Sequence, residues 1–271
     1  PIRQTWKMPM CIVWEGKHMR KIITIIHYEY KMQSKRLATW SILLVATVFA
    51  LLDNYPSSGN LSRLEFLNEP AYFVYRTMSL NGFVLMFGLM FLLAERFPLD
   101  HKTGMKLLLM SYALQKRQYI LGKLLGGFLY TFSILCIFLT LNTAVYFVAA
   151  PFPVPLPACT LPLVKAIIAS AFPASLFVSL FSVALPGMID IRLFYLFAAI
   201  LFGINAAYVG SANTAPFYMI TSGDLIRFIW VNPKWSFHDT GSILANGAFL
   251  MGSGLVIGSL LFLSHIFWRS E

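Results

Sequence analysis

Charged residues and cysteines are scarce in this sequence, and several catalytic signatures are missing from it. Charged residues make up 12% of the 271 positions, and the three cysteines, Cys11, Cys136 and Cys159, fall in a tail, an apolar segment and a loop. This spread predicts no disulfide framework. There is no HExxH motif, no paired-cysteine motif and no G-x-x-x-x-G-K-[ST] phosphate-binding signature. The sequence therefore indicates no metal centre, no catalytic site and no ATP site of its own.

Apolar residues are what the sequence has in abundance. They make up 58% of the chain, and the mean hydropathy is +0.70, values typical of polytopic helical membrane proteins. A bilayer core about 30 Å thick takes roughly 20 apolar helical residues. Six windows of that kind predict an all-α protein with six transmembrane helices. The windows are Leu37–Leu52, Thr77–Ala94, Leu124–Ala150, Leu163–Gly187, Leu193–Ala212 and Ile243–Trp268.

The basic residues predict the orientation of these spans. Only five of the 21 Lys and Arg residues fall in the outer connections, which leaves 16 on the side of the termini, whereas the 11 acidic residues divide six to five. Because positively charged loops stay in the cytosol, both termini are predicted to be cytosolic in a multi-pass protein of a bacterial plasma membrane. The net charge of +10 fits anionic lipid head groups better than nucleic acid, since no basic and aromatic groove follows from the pattern.

The chain divides into four predicted segments, with the membrane domain at residues 37–268 and a cytosolic tail at residues 269–271. Residues 1–18 read as an uncertain extension, with no cleavable signal peptide. In residues 19–36, Ile22, Ile26 and Tyr30 recur every four positions among basic residues. This spacing predicts an amphipathic helix in the membrane interface, and a solvated basic leader is the alternative.

Proline and glycine mark further features of the predicted spans. Alternate prolines in residues 151–157 predict a stiff, extended spacer, and Pro173 and Pro186 predict kinks in the fourth span. Gly254 and Gly258 form a GxxxG pair in the last span. Such a pair predicts close helix packing, either within the chain or across a dimer.

The connection of residues 95–123 is a charged, amphipathic island between two apolar segments. Thr103 is a plausible cap for a short helix that reaches Tyr112, in which Leu107, Leu108 and Met110 or Ser111 recur at helical spacing. A helix with one apolar and one basic side can insert into a groove of a soluble partner. It can equally lie on the membrane surface.

This connection resembles the loop after the second span in type-2 permeases of ATP-binding-cassette exporters. The residues that carry the resemblance are Arg96, Asp100, Thr103-Gly104, Leu108-Leu109, Ser111 and Tyr119-Ile120-Leu121-Gly122-Lys123-Leu124. A basic interfacial helix with an acidic residue such as Glu29 is also similar. The sequence departs from the family at Tyr112-Ala113-Leu114, where relatives often have a proline.

The resemblance implies a transport subunit that pairs with itself or with a homologous permease and binds two copies of an ATPase. The chain would need no cofactor, because ATP and Mg would bind to the partner ATPase. Arg96 and Asp100 would orient the loop. The residues implied to contact the partner through a coupling helix are Thr103, Gly104, Leu107, Leu108, Leu109 and Ser111.

The sequence leaves three other functions open. An ATP-independent transporter would be expected to show buried charge or paired broken helices. A membrane anchor for a cytosolic complex would use the same loop. An intramembrane enzyme would need a cluster of Asp, Glu, His or Cys near one bilayer face. Scarce charge within the spans favours lipidic, amphipathic or peptide cargo over small ions.

Overall fold

The computed structural model describes residues 10–63, 67–102, 104, 115–209 and 240–263, and every regular element in these ranges is helical. The predicted all-α class is confirmed. In chain order the α-helices are α1 (Met10–Ser34), α2 (Leu37–Asn54), α3 (Ser58–Arg63), α4 (Pro70–Arg76), α5 (Gly82–Ala94), α6 (Arg96–Lys102), α7 (Lys116–Ala149), α8 (Leu156–Ala166), α9 (Phe172–Ala184), α10 (Ile191–Val209) and α11 (Thr240–Leu263).

Three helical stretches of the described chain are long and apolar enough to cross a membrane. They are Leu37–Asn54, Gly82–Asp100 and Lys116–Ala149. Shorter apolar helices overlap the other three predicted windows. The third stretch begins eight residues before the predicted Leu124 and has 34 residues, so it is about 51 Å long. A helix of that length extends beyond a hydrocarbon core of about 30 Å.

Helices α2 and α5 run antiparallel to each other. At one end the Asn54 side chain donates to the Asn81 side chain over 2.9 Å. At the other end Arg36 Nη1 donates to the backbone carbonyl of Leu92 over 3.1 Å. With 18 residues in α2, these two ends are separated by about 27 Å along the helix.

Two π turns interrupt the helical runs, at Thr77–Asn81 before α5 and at Ile167–Ala171 before α9. The second turn directly precedes Pro173, whose ring removes one backbone donor from the first turn of α9. A 3₁₀ turn at Leu185–Gly187 contains Pro186. Both prolines predicted to kink the fourth span thus lie beside a local change in helical winding.

Helix α11 packs closely on α9 through the GxxxG pair. A Cβ atom at Gly254 would lie 3.3 Å from the Cα of Phe177 and 3.2 Å from Cδ1 of Leu180. A Cβ atom at Gly258 would lie 3.3 Å from Cδ2 of the same leucine. These two glycines therefore make their close contacts within the chain.

Candidate functional site

Four charged side chains from three helices meet where α1, α6 and α7 come together. Glu29 comes from α1, Arg96 and Asp100 from α6, and Lys123 from α7. The spacing of four places Arg96 and Asp100 on one face of α6. None of the four residues is more than 7% exposed. We call this group the Glu29 cluster.

Each charge in the Glu29 cluster has an opposite charge within hydrogen-bonding distance. Arg96 donates to Glu29 Oε2 from Nη2 over 2.8 Å and from Nε over 3.1 Å. Lys123 Nζ lies 2.8 Å from Glu29 Oε1 and 2.6 Å from Asp100 Oδ2. Two cations and two anions sum to zero. Burial of these four charges is tolerable because each is paired and hydrogen-bonded.

Aromatic side chains complete the surroundings of Lys123. Its Nζ lies 5.4 Å from the ring centroid of Phe97 and 5.5 Å from that of Tyr119, within the range of cation–π attraction. The Tyr119 hydroxyl donates to Asp100 Oδ2. Phe97 and Tyr119 pack edge to face with their centroids 5.9 Å apart. The α6–α7 contact is therefore fixed by polar and apolar groups together.

Two glycines of α7 let α1 pack closely enough for Glu29 to reach Arg96 and Lys123. A Cβ atom at Gly122 would lie 2.5 Å from Ile25 Cγ2, and one at Gly126 would lie 2.6 Å from Glu29 Cβ. Any larger residue would force the helices apart. Because both contacts advance by four residues, α1 and α7 run in the same direction here. The predicted amphipathic face of residues 19–36 thus packs on α7, and α1 begins at Met10, ahead of the predicted boundary at 18.

Some polar atoms near the Glu29 cluster have donor or acceptor capacity left. Within the described residues, Arg96 Nη1 and both amide atoms of Gln33 are buried without a hydrogen-bond partner. Gln33 lies one helical turn after Glu29 on α1. Buried polar groups normally have partners, so this junction can accept a further polar group.

The segment predicted as a coupling helix follows the cluster directly along the chain. Helix α6 ends at Lys102, and Gly104 has φ of 66°, a left-handed conformation that ends a helix rather than starting one. Thr103 itself and Leu107, Leu108, Leu109 and Ser111 lie outside the described residues. The described chain resumes at Gln115, which caps α7 through a reciprocal capping box with Gln118.

A second polar cluster lies at the opposite end of the α2–α5 pair. Arg76 donates from Nη2 to Asp53 Oδ2 over 2.9 Å and from Nε to the Asn54 side chain. Asn54 in turn donates to Asn81 in the first π turn. Arg63 reaches Asp53 Oδ1 over 2.8 Å. We call this group the Asp53 cluster.

Sequence reasoning singled out Arg96 and Asp100 as residues that orient the loop, and the structure places both in one ion network. It assigned no role to Tyr119 or Lys123 beyond the resemblance. Their four-residue spacing, which puts a hydroxyl and an ammonium on one face of α7, was a usable signal. The Asp53 cluster was missed, because only its folded geometry brings Arg76 to Asp53. Among the described residues no group of three His, Cys, Asp or Glu side chains could hold a metal ion.

Comparison with protein-family models, curated proteins and solved structures found no match to this chain. In the part of the chain that the structure describes, the fold is all-helical, with three helical stretches of membrane-spanning length and a buried ion network at one end of them.

Proposed function

We propose that this chain is the transmembrane subunit of an ATP-driven exporter, coupled to a separate ATPase through the connection of residues 95–123. One observation carries the proposal. All three stretches of membrane-spanning length connect to the Glu29 cluster: α1 leads into Leu37–Asn54, α6 ends the stretch Gly82–Asp100, and Lys123 lies near the start of Lys116–Ala149. A force applied to the loop between α6 and α7 would reach all of them.

The Glu29 cluster suits the transmission of a force because its members resist separation. Pulling one partner away from a buried ion pair strands the other charge in a poorly solvated place, at a cost of about 3–5 kcal/mol. Helices α1, α6 and α7 should consequently move as one unit. Closure of an ATPase below the loop would then tilt the spans between inward-open and outward-open states.

The wider arrangement follows the membrane layout expected from the sequence. Six spans with both termini in the cytosol place the Glu29 cluster at the cytosolic face and the Asp53 cluster at the outer face. On α2 the exposed face is apolar, with Leu44, Val48 and Phe49 at its surface. Such a face suits lipid tails or a second permease subunit, and the pathway would form between the two subunits. ATP and Mg would bind to the ATPase.

Co-purification with an ATP-binding-cassette ATPase tests the proposal. The tagged full-length chain should retain the ATPase encoded beside it, and the complex should show vanadate-sensitive ATP turnover. The double substitution Leu108→Asp and Leu109→Asp should abolish retention while membrane insertion persists. Leu156→Asp is the control, because Leu156 is exposed at the start of α8 on the opposite side. Undiminished ATPase binding by the double variant would remove the docking assignment.

The same experiment separates the other functions that the sequence leaves open. An ATP-independent transporter or an intramembrane enzyme would retain no ATPase at all. A membrane anchor would retain its partner, yet the partner's ATP turnover would not depend on the spans of this chain. Only the exporter subunit requires both retention and coupled turnover.

A further inference from the structure

From position 20 onward, the exposed side of α1 carries charge of one sign only. Between positions 20 and 36 the single acidic residue is Glu29, which is buried and paired with Arg96 and Lys123. The exposed charged residues of this stretch are all basic, namely Arg20, Lys21, Lys31 and Lys35. Burial of Glu29 in the Glu29 cluster thus leaves a cationic outer face.

The cationic face also presents apolar and aromatic groups. Ile23 and Tyr28 are 58% and 65% exposed, and they lie among the exposed basic residues of α1. Lys35 directly follows α1, and its backbone N–H donates to the Lys31 carbonyl over 3.2 Å, so the two lysines lie one helical turn apart. Basic side chains interleaved with exposed apolar ones form the surface of helices that lie against anionic membranes.

The position of this face along the chain places it beside the membrane boundary. Helix α1 ends at Ser34, and α2 starts its apolar run at Leu37. The exposed Trp40 indole donates to the Ser34 carbonyl, and tryptophan is enriched at the interface between lipid and water. Glu95, 4.0 Å from Arg36, offsets one positive charge at this junction. Lys31 and Lys35 should therefore lie at the level of the head groups.

We infer that the exposed face of α1 binds the phosphate head groups of anionic phospholipids. Each basic side chain near such a surface is attracted to it electrostatically. The bound lipids contact the exposed face of α1, while Glu29 on its buried face pairs with Arg96 of α6 and Lys123 of α7. Anionic lipid therefore regulates the stability of the Glu29 cluster. This inference needs only the chain itself and does not depend on an ATPase partner.

Thermal unfolding of the purified chain in mixed micelles tests the inference. Dioleoyl phosphatidylglycerol should raise the melting temperature more than dioleoyl phosphatidylcholine does at the same mole fraction. Lys31→Gln with Lys35→Gln should lose at least about half of that difference, and Lys31→Arg with Lys35→Arg should keep it. The charge-matched control, Lys165→Gln with Arg192→Gln, changes exposed residues of other helices and should keep it as well.

A salt titration and the results that would overturn the inference complete the test. Raising NaCl from about 0.05 M to about 0.5 M should shrink the phosphatidylglycerol effect, because it is electrostatic. Equal stabilisation of the unmodified chain by both lipids would overturn the inference. So would a full phosphatidylglycerol response in the Gln double variant. If that variant instead lost a co-purifying ATPase while its lipid response stayed intact, the face would be a protein-docking surface and the inference would be wrong.

Discussion

The Glu29 cluster and the Asp53 cluster lie at opposite ends of the α2–α5 pair, yet they differ in burial and in reach. All four charged residues of the Glu29 cluster are at most 7% exposed. In the Asp53 cluster, Arg76 is also buried, at 3% exposed, but the side chains of its partner Asp53 and of Arg63 are 30% and 53% exposed. Exposed ion pairs contribute little to stability, whereas buried charges depend on their partners.

The two clusters also connect different lengths of chain. The Asp53 cluster joins residues 53–81, which lie in α2, α3, α4 and the first π turn. The Glu29 cluster joins α1, α6 and α7. Two of its members, Glu29 and Arg96, are 67 residues apart in the sequence. Contacts between residues close together in the sequence, as in the Asp53 cluster, can break without disturbing the rest of the fold. A junction between helices that are far apart in the sequence cannot, which is why we assign coupling to the Glu29 cluster.

Removal of the central carboxylate should produce the largest effect. Glu29→Ala leaves Arg96 and Lys123 buried with one partner fewer and should reduce the free energy of unfolding by about 3–5 kcal/mol. Denaturant unfolding in detergent micelles measures the loss. Glu95→Ala is the matched control, since that side chain is 55% exposed, and it should change stability by less than about 1 kcal/mol. Equal losses of unfolding free energy in the two variants would show that the buried pairs contribute no more to stability than the exposed pair.

A methyl group at the α1–α7 contact should have the next largest effect. Gly122→Ala places a Cβ atom 2.5 Å from Ile25 and should destabilise the fold by about 1–3 kcal/mol through overpacking. Gly252→Ala is the control, because nothing lies within 4 Å of a Cβ atom there. That variant should be neutral or up to about 1 kcal/mol more stable, since alanine favours helix. Identical unfolding curves would show that α1 is not held tightly against α7.

The Asp53 cluster should tolerate the loss of its charge better. Asp53→Asn keeps the side-chain shape and leaves the buried Arg76 its bond to Asn54, but it removes the anion that Arg76 pairs with. It should lower the free energy of unfolding by about 1–3 kcal/mol. The same unfolding measurement compares it with Glu29→Gln, the isosteric change in the other cluster. If Asp53→Asn were the more damaging of the two, the ranking of the clusters would be reversed.

A site away from both clusters gives the smallest expected change. A Cβ atom at Gly258 would lie 3.3 Å from Cδ2 of Leu180 and 3.8 Å from Cδ1 of Leu124, both of them flexible ends of side chains. Gly258→Ala should therefore shift stability by less than about 1 kcal/mol. Gly254→Ala, which also approaches the Phe177 backbone, should lose more. A larger loss at Gly258 than at Gly254 would contradict the contacts seen between α9 and α11.

Apolar spacing was sufficient to predict the helical class and the approximate places of the helices. It failed at the start of α7 and did not predict α6, because windows bounded by charge exclude Lys123, Arg96 and Asp100. Those charges continue the helices, since each is neutralised by a partner from another helix. The identity of such partners depends on long-range packing. Glu29 is one acidic residue on a basic helix, and nothing in its neighbourhood along the chain points to Arg96.

The two π turns and the Asp53 cluster could not be predicted for a related reason. A π turn depends on how the helix packs on its neighbours, and Asn81 acquires its role only when α2 brings Asn54 beside it. The predicted contacts at Leu107, Leu108 and Leu109 remain predictions, because they lie outside the described residues.

Vanadate-sensitive ATP turnover by the assembled complex in vesicles tests the assignment of coupling most directly. Glu29→Gln should leave the ATPase bound but reduce turnover by about tenfold, a loss within the range of allosteric coupling energies. Asp53→Asn should leave turnover within about twofold of the unmodified complex. Unchanged turnover in Glu29→Gln, or equal losses in both variants, would contradict the claim that the Glu29 cluster couples the loop to the spans.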